Sequence, residues 1–138
     1  MQQDQKKGKK NQIGAFGEQI TVNYLKKQGF TIIATNYLKK WGEIDVVARG
    51  TAGDVHFVEV KTVSYETKSL LEYAVTHETW RPEEQVHAFK LKKLHRVIET
   101  WLMEQEYEGE WVIDVAVVRV VPEEKYATMK YIPNVVGE

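Results

Sequence analysis

Acidic and basic side chains alternate with strand-forming residues between Glu43 and Lys61 of this 138-residue chain. Both ends of the segment are rich in Val, Ile and Phe, and residues 50–54, which include two glycines, separate them. If residues 50–54 form the turn of an antiparallel hairpin, Asp45 lies directly opposite Glu59. Facing residues have Cβ atoms roughly 4.5–5.5 Å apart. The spacing therefore predicts two neighbouring carboxylates with an ammonium group beside them.

Two carboxylates this close favour the chemistry of a divalent cation. Like charges directly opposite each other destabilise a sheet, and both groups cannot stay ionised without a counter-charge. A hard cation such as Mg²⁺ supplies that charge, because it takes oxygen ligands from one or two carboxylates and keeps several waters. Lys61 would lie close to whatever the cation binds. The alternative interpretation is a hairpin edge with solvated charges, or an ion pair between Glu59 and Lys61.

The same residues carry a family resemblance. The segments Gly42-Glu43-Ile44-Asp45 and Phe57-Val58-Glu59-Val60-Lys61 resemble the metal-binding signature of the PD-(D/E)xK nuclease superfamily and, within it, the YraN-like family of predicted bacterial endonucleases. The similarity extends from about Gly14 to about Val118. It implies a restriction-endonuclease-like αβββαβ core and hydrolysis of phosphodiester bonds in nucleic acid. DNA, and structured or branched DNA in particular, is the substrate that it suggests.

The resemblance also implies a role for each charged side chain of the motif. Asp45 and Glu59 would hold Mg²⁺ or Mn²⁺, with the carbonyl of Val60 as a third ligand. Lys61 would orient the attacking water or stabilise negative charge on the phosphate. A glutamate of the first helix, Glu18, would lie near the metal, as a direct or water-mediated ligand. The alternative for this glutamate is a favourable interaction with the helix dipole.

Three lysines are expected to contact the substrate. Lys90 projects onto the apolar face of a later helix and matches a lysine of the family, although it could also extend its stem along the edge of the core. Lys39 and Lys40 follow the first strand. They are candidates to replace arginines that the family carries at positions occupied here by Leu38, Val63 and Val112.

Those missing arginines leave a second function open, a non-catalytic module that binds nucleic acid and retains the nuclease fold. Residues 1–40 contain eight lysines and two acids, whereas residues 41–138 contain eleven Lys or Arg and eighteen acids. The basic part could face phosphates, or it could be a solvated surface. A homodimer is a further hypothesis, because the first helix has a second apolar row that its own sheet does not need.

The composition predicts one domain in the cytoplasm. We expect a flexible lysine-rich tail over residues 1–10 and a single endonuclease-like domain over residues 11–138. No apolar run approaches 18 residues and the N-terminus has no apolar signal segment, so we expect no membrane association. The absence of cysteine excludes disulfides and thiolate metal sites and is typical of a reducing compartment.

The order of predicted elements indicates an α/β fold, with a mixed central sheet flanked by helices. Residues 63–82 could form either a short helix or a loop, and Asp114 within the last long strand needs a partner. The predicted elements are a helix from Asn11 to about Gln28, a strand over Phe30–Asn36, a connector over Tyr37–Trp41, the hairpin, a helix from Pro82 to about Gln105, a buried strand over Trp111–Val121 and an edge strand over Met129–Ile132.

Overall fold

The computed structural model describes residues 2–77 and 88–135, apart from the side chains of residues 2–7, 9–10 and 88–90. Its elements are α1 (Gln2–Lys27), β1 (Thr31–Lys39), β2 (Gly42–Arg49), β3 (Val55–Ser64), α2 (Lys68–His77), α3 (Ala88–Glu104), β4 (Trp111–Val121), a 3-10 turn (Pro122–Glu124) and β5 (Tyr126–Ile132). Among the described residues, no helix combines the length and apolar character that crossing a membrane requires.

The five strands form one mixed sheet in the order β1-β2-β3-β4-β5. Only the β3–β4 pair is parallel, and the chain between these two strands contains α2 and α3. A parallel pair requires such a crossover, because a two-residue turn can join only antiparallel neighbours. Buried residues of α1 pack on one face of the sheet and those of α3 on the other. The predicted α/β fold with helices flanking a mixed sheet is confirmed.

The predicted register of the hairpin is confirmed where β2 and β3 are paired. Val46 faces Val58, and Arg49 faces Val55. The turn between them is closed by a hydrogen bond of 2.8 Å from the amide of Gly50 to the carbonyl of Asp54. This register places Asp45 and Glu59 one residue beyond the last pair, on the side away from the turn.

The sheet separates two apolar clusters. Phe57 and Ile113 pack against Leu94, Val97 and their neighbours on α3. On the other face, strand residues pack against the buried side of α1; this cluster contains Val22, Leu25, Val46, Ala48, Val58 and Ala116. β4 is covered on both faces, as its near-continuous apolar run predicted. The predicted apolar stripe of α3 is also confirmed, since Leu91, Leu94, Val97, Ile98 and Trp101 are all buried.

Two predicted boundaries are wrong. The first helix begins at Gln2 instead of after Asn11, so its backbone runs through the segment that we expected to be a flexible tail. Lys and Gln are good helix formers, and a helix already nucleated by packing extends through them at little cost. β1 extends to Lys39 instead of ending at Asn36, because Leu38 still pairs with Glu43 across the turn.

The uncertain segment after β3 contains the short helix α2, whose Leu71 and Ala74 are buried. The side chain of Thr67 caps this helix by accepting a hydrogen bond of 3.1 Å from the amide of Leu70. The predicted start of the next helix at Pro82 lies outside the described residues. α3 ends at Glu104, one residue before the predicted end.

Asp114 has the partners that its burial demands. It is fully buried on the α1 side of the sheet, and His56 Nδ1 lies 2.6 Å from its Oδ2 atom. The hydroxyl of Tyr131 donates to the same oxygen, and the amide of Asn134 donates to Oδ1 over 2.8 Å. Asp54 lies 3.0 Å from the other ring nitrogen of His56. This network connects β3, β4 and β5 by polar contacts, away from the Asp45 end of the hairpin.

The two apolar rows predicted for the first helix have different environments. Val22 and Leu25, from the row that contains Glu18, are buried against the sheet. Phe16, from the other row, is 53% exposed. It lines a cavity of about 530 Å³ whose other lining residues are Gln12, Ile13, Val120, Val121, Pro122, Lys125, Tyr126 and Ala127. A homodimer would use this second row, and it stays a prediction.

Candidate functional site

The candidate site lies where β2 and β3 separate. Val46–Val58 is the last pair of the ladder at this end, and beyond it the amide of Val60 donates to Asp45 Oδ2 over 2.7 Å. The Asp45 carboxylate thus occupies the place that a backbone carbonyl of β2 would take in a continued ladder. The separation leaves room between the strands for charged side chains, and the hydrogen bond fixes the orientation of Asp45.

Asp45 and Glu59, the predicted pair, line one cavity of about 240 Å³. Phe57 packs with α3 and Val58 with α1, so the alternation of side chains along β3 places Glu59 and Lys61 on the α3 side of the sheet. The complete lining consists of Gly42, Glu43, Asp45, Glu59, Lys93 and Leu94. The structure therefore brings the two predicted carboxylates together, with Lys61 two residues along the same strand.

A third and a fourth carboxylate join this pair. Glu18, Glu43 and Asp45 each offer a carboxylate oxygen, and these three oxygens lie within 4.8 Å of one another. Glu59 lines the cavity without belonging to this closest group. The structure thus places Glu18 of the first helix beside Asp45, and its role as a metal ligand stays a prediction. Glu43 was not predicted as a site residue, although its place in the motif two residues before Asp45 was a signal.

Crowding of carboxylates changes their protonation. Burial, and next the negative charge of Glu59, raise the pKa of Asp45 to about 7, and Glu18 and Glu43 add to this rise. The hydrogen bond from the amide of Val60 acts in the opposite direction. Burial also raises the pKa of Glu18, with smaller contributions from Glu43 and Glu59, and a hydrogen bond with Asn36 opposes it. Burial and the neighbouring acids therefore disfavour the charged form of Asp45.

This donor set fits a hard divalent cation. The cluster offers carboxylate oxygens alone, which suit Mg²⁺ and Mn²⁺ better than metals that prefer nitrogen or sulfur ligands. Asp45 and Glu43 come from one strand and Glu18 from a helix, so the donors converge from different directions. A bound cation would also remove the repulsion that raises the pKa of Asp45. Val60 is adjacent to Asp45, and the role of its carbonyl as a ligand stays a prediction.

Close packing of α1 against β3 positions Glu18. Gly17 is buried, and a Cβ atom added to it would lie 2.0 Å from the Oγ1 atom of Thr62. The helix can approach the strand this closely only because residue 17 has no side chain. One turn later the buried Thr21 donates a hydrogen bond of 2.9 Å to the Gly17 carbonyl. The next residue after Gly17 therefore reaches the opening between the strands.

We expect Gly17→Ala to destabilise the protein by about 1–3 kcal/mol, because overpacking at this contact outweighs the gain in helix propensity. Gly14→Ala is the matched control in the same helix, since a Cβ atom there meets nothing within 4 Å. It should be neutral or stabilising by up to about 1 kcal/mol. Urea denaturation of the two variants measures both effects. Equal stability of the two variants would contradict the close approach of α1 to β3.

The helix α3 closes the cavity from the other side. A Cβ atom on Gly42 would lie 2.6 Å from a methyl carbon of Val97, so glycine at this position lets β2 contact the helix directly. Lys93 and Leu94, one turn earlier on α3, complete the lining. The helical projection alone does not indicate Lys93 as a site residue, because it lies beside the apolar stripe. The close contact of α3 with β2 at Gly42 brings it to the cavity.

The three lysines predicted to contact substrate have different outcomes. The Lys39 ammonium forms an ion pair of 2.8 Å with Glu104, which lies about 16 Å along α3 from Lys93. Lys40 is exposed in the turn after β1. The structure brings neither of them to the carboxylates. Lys90 belongs to α3, but its side chain lies outside the described residues. Substrate contact by all three stays a prediction.

Comparisons with known proteins agree on one family. A family model described as "Uncharacterised protein family UPF0102" matches residues 17–118. A UPF0102 protein of Mycolicibacterium gilvum is 36% identical over 110 residues, which cover 78% of this chain and 80% of that protein. One of Mycobacterium tuberculosis is 38% identical over 113 residues, with 80% of each chain covered. The matched segment includes the carboxylates of the site, Lys61 and Lys93.

Proposed function

This chain belongs to the UPF0102 family, the YraN family of the resemblance, and from that membership and its site we propose that it is a metal-dependent endonuclease. It would hydrolyse phosphodiester bonds in nucleic acid, with DNA as the first substrate to examine. The fold is consistent with a restriction-endonuclease-like core. The observation that carries the proposal is the convergence of Glu18, Glu43 and Asp45 within 4.8 Å.

The neighbourhood of these carboxylates supports hydrolysis over a purely structural role. Asp45 and Glu59 line an open cavity together, and Lys61 lies on the same side of β3 as Glu59. Charged groups buried for structure alone are usually paired within the fold, as Asp114 is with His56. At Asp45, burial and next the charge of neighbouring acids raise the pKa to about 7, and a pKa shifted in this way is typical of a functional site.

Each residue has a distinct part in the proposed reaction. A bound Mg²⁺ or Mn²⁺ supplies polarisation of a phosphate oxygen and a more acidic water. Asp45 and Glu59 would hold the cation, with Glu18 and Glu43 as further oxygen donors. The Val60 amide would keep Asp45 in its orientation through the hydrogen bond that the two groups make. The Lys61 ammonium would orient the attacking water or stabilise negative charge that develops on the phosphate.

Purified protein incubated with flapped, branched, single-stranded and duplex DNA tests this proposal. We expect cleavage of at least one substrate in Mg²⁺ or Mn²⁺ and none in EDTA. A matched set of RNA substrates determines which nucleic acid is preferred. Failure to cleave any of these substrates in either metal would overturn the proposal.

Metal binding separates the enzyme from the alternative, a nucleic-acid-binding module without catalysis. For the enzyme we expect Mn²⁺ to raise the melting temperature of the wild-type protein. A ligand at 100 times its dissociation constant stabilises by about 2.7 kcal/mol. Asp45→Asn should lose this shift, whereas Glu99→Gln, a change at an exposed acid of α3, should keep it. Equal shifts in all three proteins would favour the alternative.

A further inference from the structure

Each of the strands β3, β4 and β5 contains a single Lys or Arg, namely Lys61, Arg119 and Lys130. Val117 of β4 is the direct partner of Lys61 on one side and of Lys130 on the other. Paired residues project from the same face of a sheet, and so do residues two apart on one strand. Arg119 follows Val117 by two residues, so all three cations belong to one face.

That face is the α3 side of the sheet. Ile113 packs with α3, so alternation along β4 places Arg119 on the same side. Tyr131 packs with the α1 cluster, so the preceding residue, Lys130, projects to the α3 side. Glu59 and Lys61 were placed on this side by the same alternation. The three cations, which we call the phosphate face, therefore begin directly beside the carboxylate cavity.

The spacing of the phosphate face suits a chain of anions. Strands lie about 4.8 Å apart and alternate residues about 6.7 Å apart, so Lys61 and Arg119 have Cα atoms about 8 Å apart, as do Arg119 and Lys130. Apart from Glu59, which lines the cavity, no acidic residue of β3, β4 or β5 alternates onto this side of the described sheet. The ends of the half-buried Lys61 and Arg119 and of the exposed Lys130 thus form a line of positive charge from the cavity to the β5 edge, above the buried Val117.

Arg119 gives an independent sign of a missing anionic partner. Its Nε atom is buried and has no hydrogen-bond partner within the described structure. Buried donors are nearly always paired, and a guanidinium pairs most strongly with a phosphate or carboxylate. At the far end of the face, the ammonium of Lys68 on α2 lies 4.4 Å from the centre of the Tyr126 ring. Positive charge therefore extends beyond Arg119 towards the start of α2.

We infer that the phosphate face binds the phosphodiester backbone of the nucleic-acid strand whose scissile bond lies in the carboxylate cavity. This inference rests on the proposed function and adds the path of the substrate, from β3 across β4 to β5. Contacts to phosphates position a strand without reading its sequence. Binding through this face is therefore sequence-independent and weakens steeply as the salt concentration rises.

The test compares binding of fluorescein-labelled single-stranded DNA and the matching duplex by variants in an Asp45→Asn background, in EDTA, so that no cleavage occurs. Lys130→Gln, a change at an exposed residue, should weaken binding about three- to tenfold and lower the slope of log affinity against log salt by about one. Lys26→Gln is the matched control, since Lys26 is exposed on α1 beyond the opposite face. It should bind with unchanged affinity.

Arg119→Gln and Arg119→Lys make a second pair. The glutamine variant should weaken binding at least as much as Lys130→Gln, and the lysine variant should keep the salt slope while losing part of the affinity. Circular dichroism confirms that each variant is folded before its affinity is compared. Because Lys130 is exposed, its result decides the question even if Arg119→Gln unfolds.

The outcomes distinguish this inference from the proposed function. Wild-type affinity and salt slope in Lys130→Gln, together with metal-dependent cleavage by the wild-type protein, would overturn the phosphate face and leave the nuclease intact. Loss of affinity in Lys130→Gln but not in Lys26→Gln, without cleavage by the wild-type protein, would support the face in a binding module. An equal loss of affinity in Lys130→Gln and Lys26→Gln would overturn the phosphate face, because it would mean that DNA is attracted by the overall positive charge and not by this face.

Discussion

Asp45→Asn is expected to lower the rate of metal-dependent DNA cleavage by about a thousandfold or more while the protein stays folded. Metal-assisted stabilisation of a transition state contributes several kcal/mol, and each 1.36 kcal/mol corresponds to a factor of ten in rate. The substitution keeps the shape of the side chain and an oxygen that can accept the hydrogen bond from the Val60 amide. It removes the negative charge that holds a divalent cation.

Single-turnover cleavage in Mg²⁺ and in Mn²⁺ measures this effect. Glu99→Gln, which neutralises an exposed acid of α3, is the matched control and should cleave at the wild-type rate. Glu59→Gln should lose activity to a similar degree, because it lines the same cavity. Comparable rates for Asp45→Asn and Glu99→Gln would mean that cleavage comes from another site or from a contaminant.

The metal-free protein should lose stability as the pH rises, and Asp45 should be the main cause. Its pKa is raised to about 7 in the folded protein, from 3.8 for an ordinary aspartate. Between these values the folded state binds more protons than the unfolded state, so the free energy of unfolding falls with rising pH and levels off above the folded pKa. Between pH 5 and pH 8 the loss should reach roughly 1–3 kcal/mol, at 1.36 kcal/mol for each unit between pH 5 and the folded pKa and with an allowance for screening by water.

Urea denaturation in EDTA at pH 5 and at pH 8 measures this loss. Asp45→Asn carries no charge at either pH, so it should be more stable than the wild-type protein at pH 8 and closer to it at pH 5. Glu99→Gln should follow the wild-type curve. Saturating Mg²⁺ at pH 8 should restore stability to the wild-type protein and not to Asp45→Asn. A wild-type protein that is equally stable at both pH values would contradict the crowded carboxylates.

The two expectations for Asp45→Asn have opposite signs, and together they describe one property of the site. The same substitution removes activity and stabilises the metal-free fold, because the carboxylate is held among other carboxylates at a cost in stability. A residue retained for folding alone would show loss on both measurements.

Much of this site could be predicted from local rules. The alternation of side chains and the five-residue turn determined the register of the hairpin, and through it the meeting of Asp45 and Glu59. The buried strand β4 and the apolar stripe of α3 could also be predicted from the sequence, because side chains repeat with a period of two along strands and 3.6 along helices. The place of Glu18 near the site, by contrast, was implied by the family resemblance and by no local rule.

Other features depended on contacts between distant segments. Glu43 joins the cluster through the actual path of β2 beyond its last pair with β3. Lys93 reaches the cavity through the contact of α3 with β2 at Gly42. The ion pair of Lys39 with Glu104 likewise joins the end of β1 to a distant helix, α3. The sequence places Glu43 on the same face of its strand as Asp45, but the contacts themselves depend on how elements far apart in the chain are oriented.

By itself, the sequence determined the sheet-forming segments, the pairing of the hairpin and the proximity of two carboxylates to a lysine, since these follow from periodicity along a few neighbouring residues. Only the tertiary structure decided which further charges converge on that pair. The close contact of α1 with β3 at Gly17 positions Glu18, and glycine at position 42 lets α3 pack directly on β2. The pairing of β3, β4 and β5 places Lys61, Arg119 and Lys130 on one face of the sheet. The physical reason is that helix approach and strand order are set by packing of the whole core, which no short segment encodes.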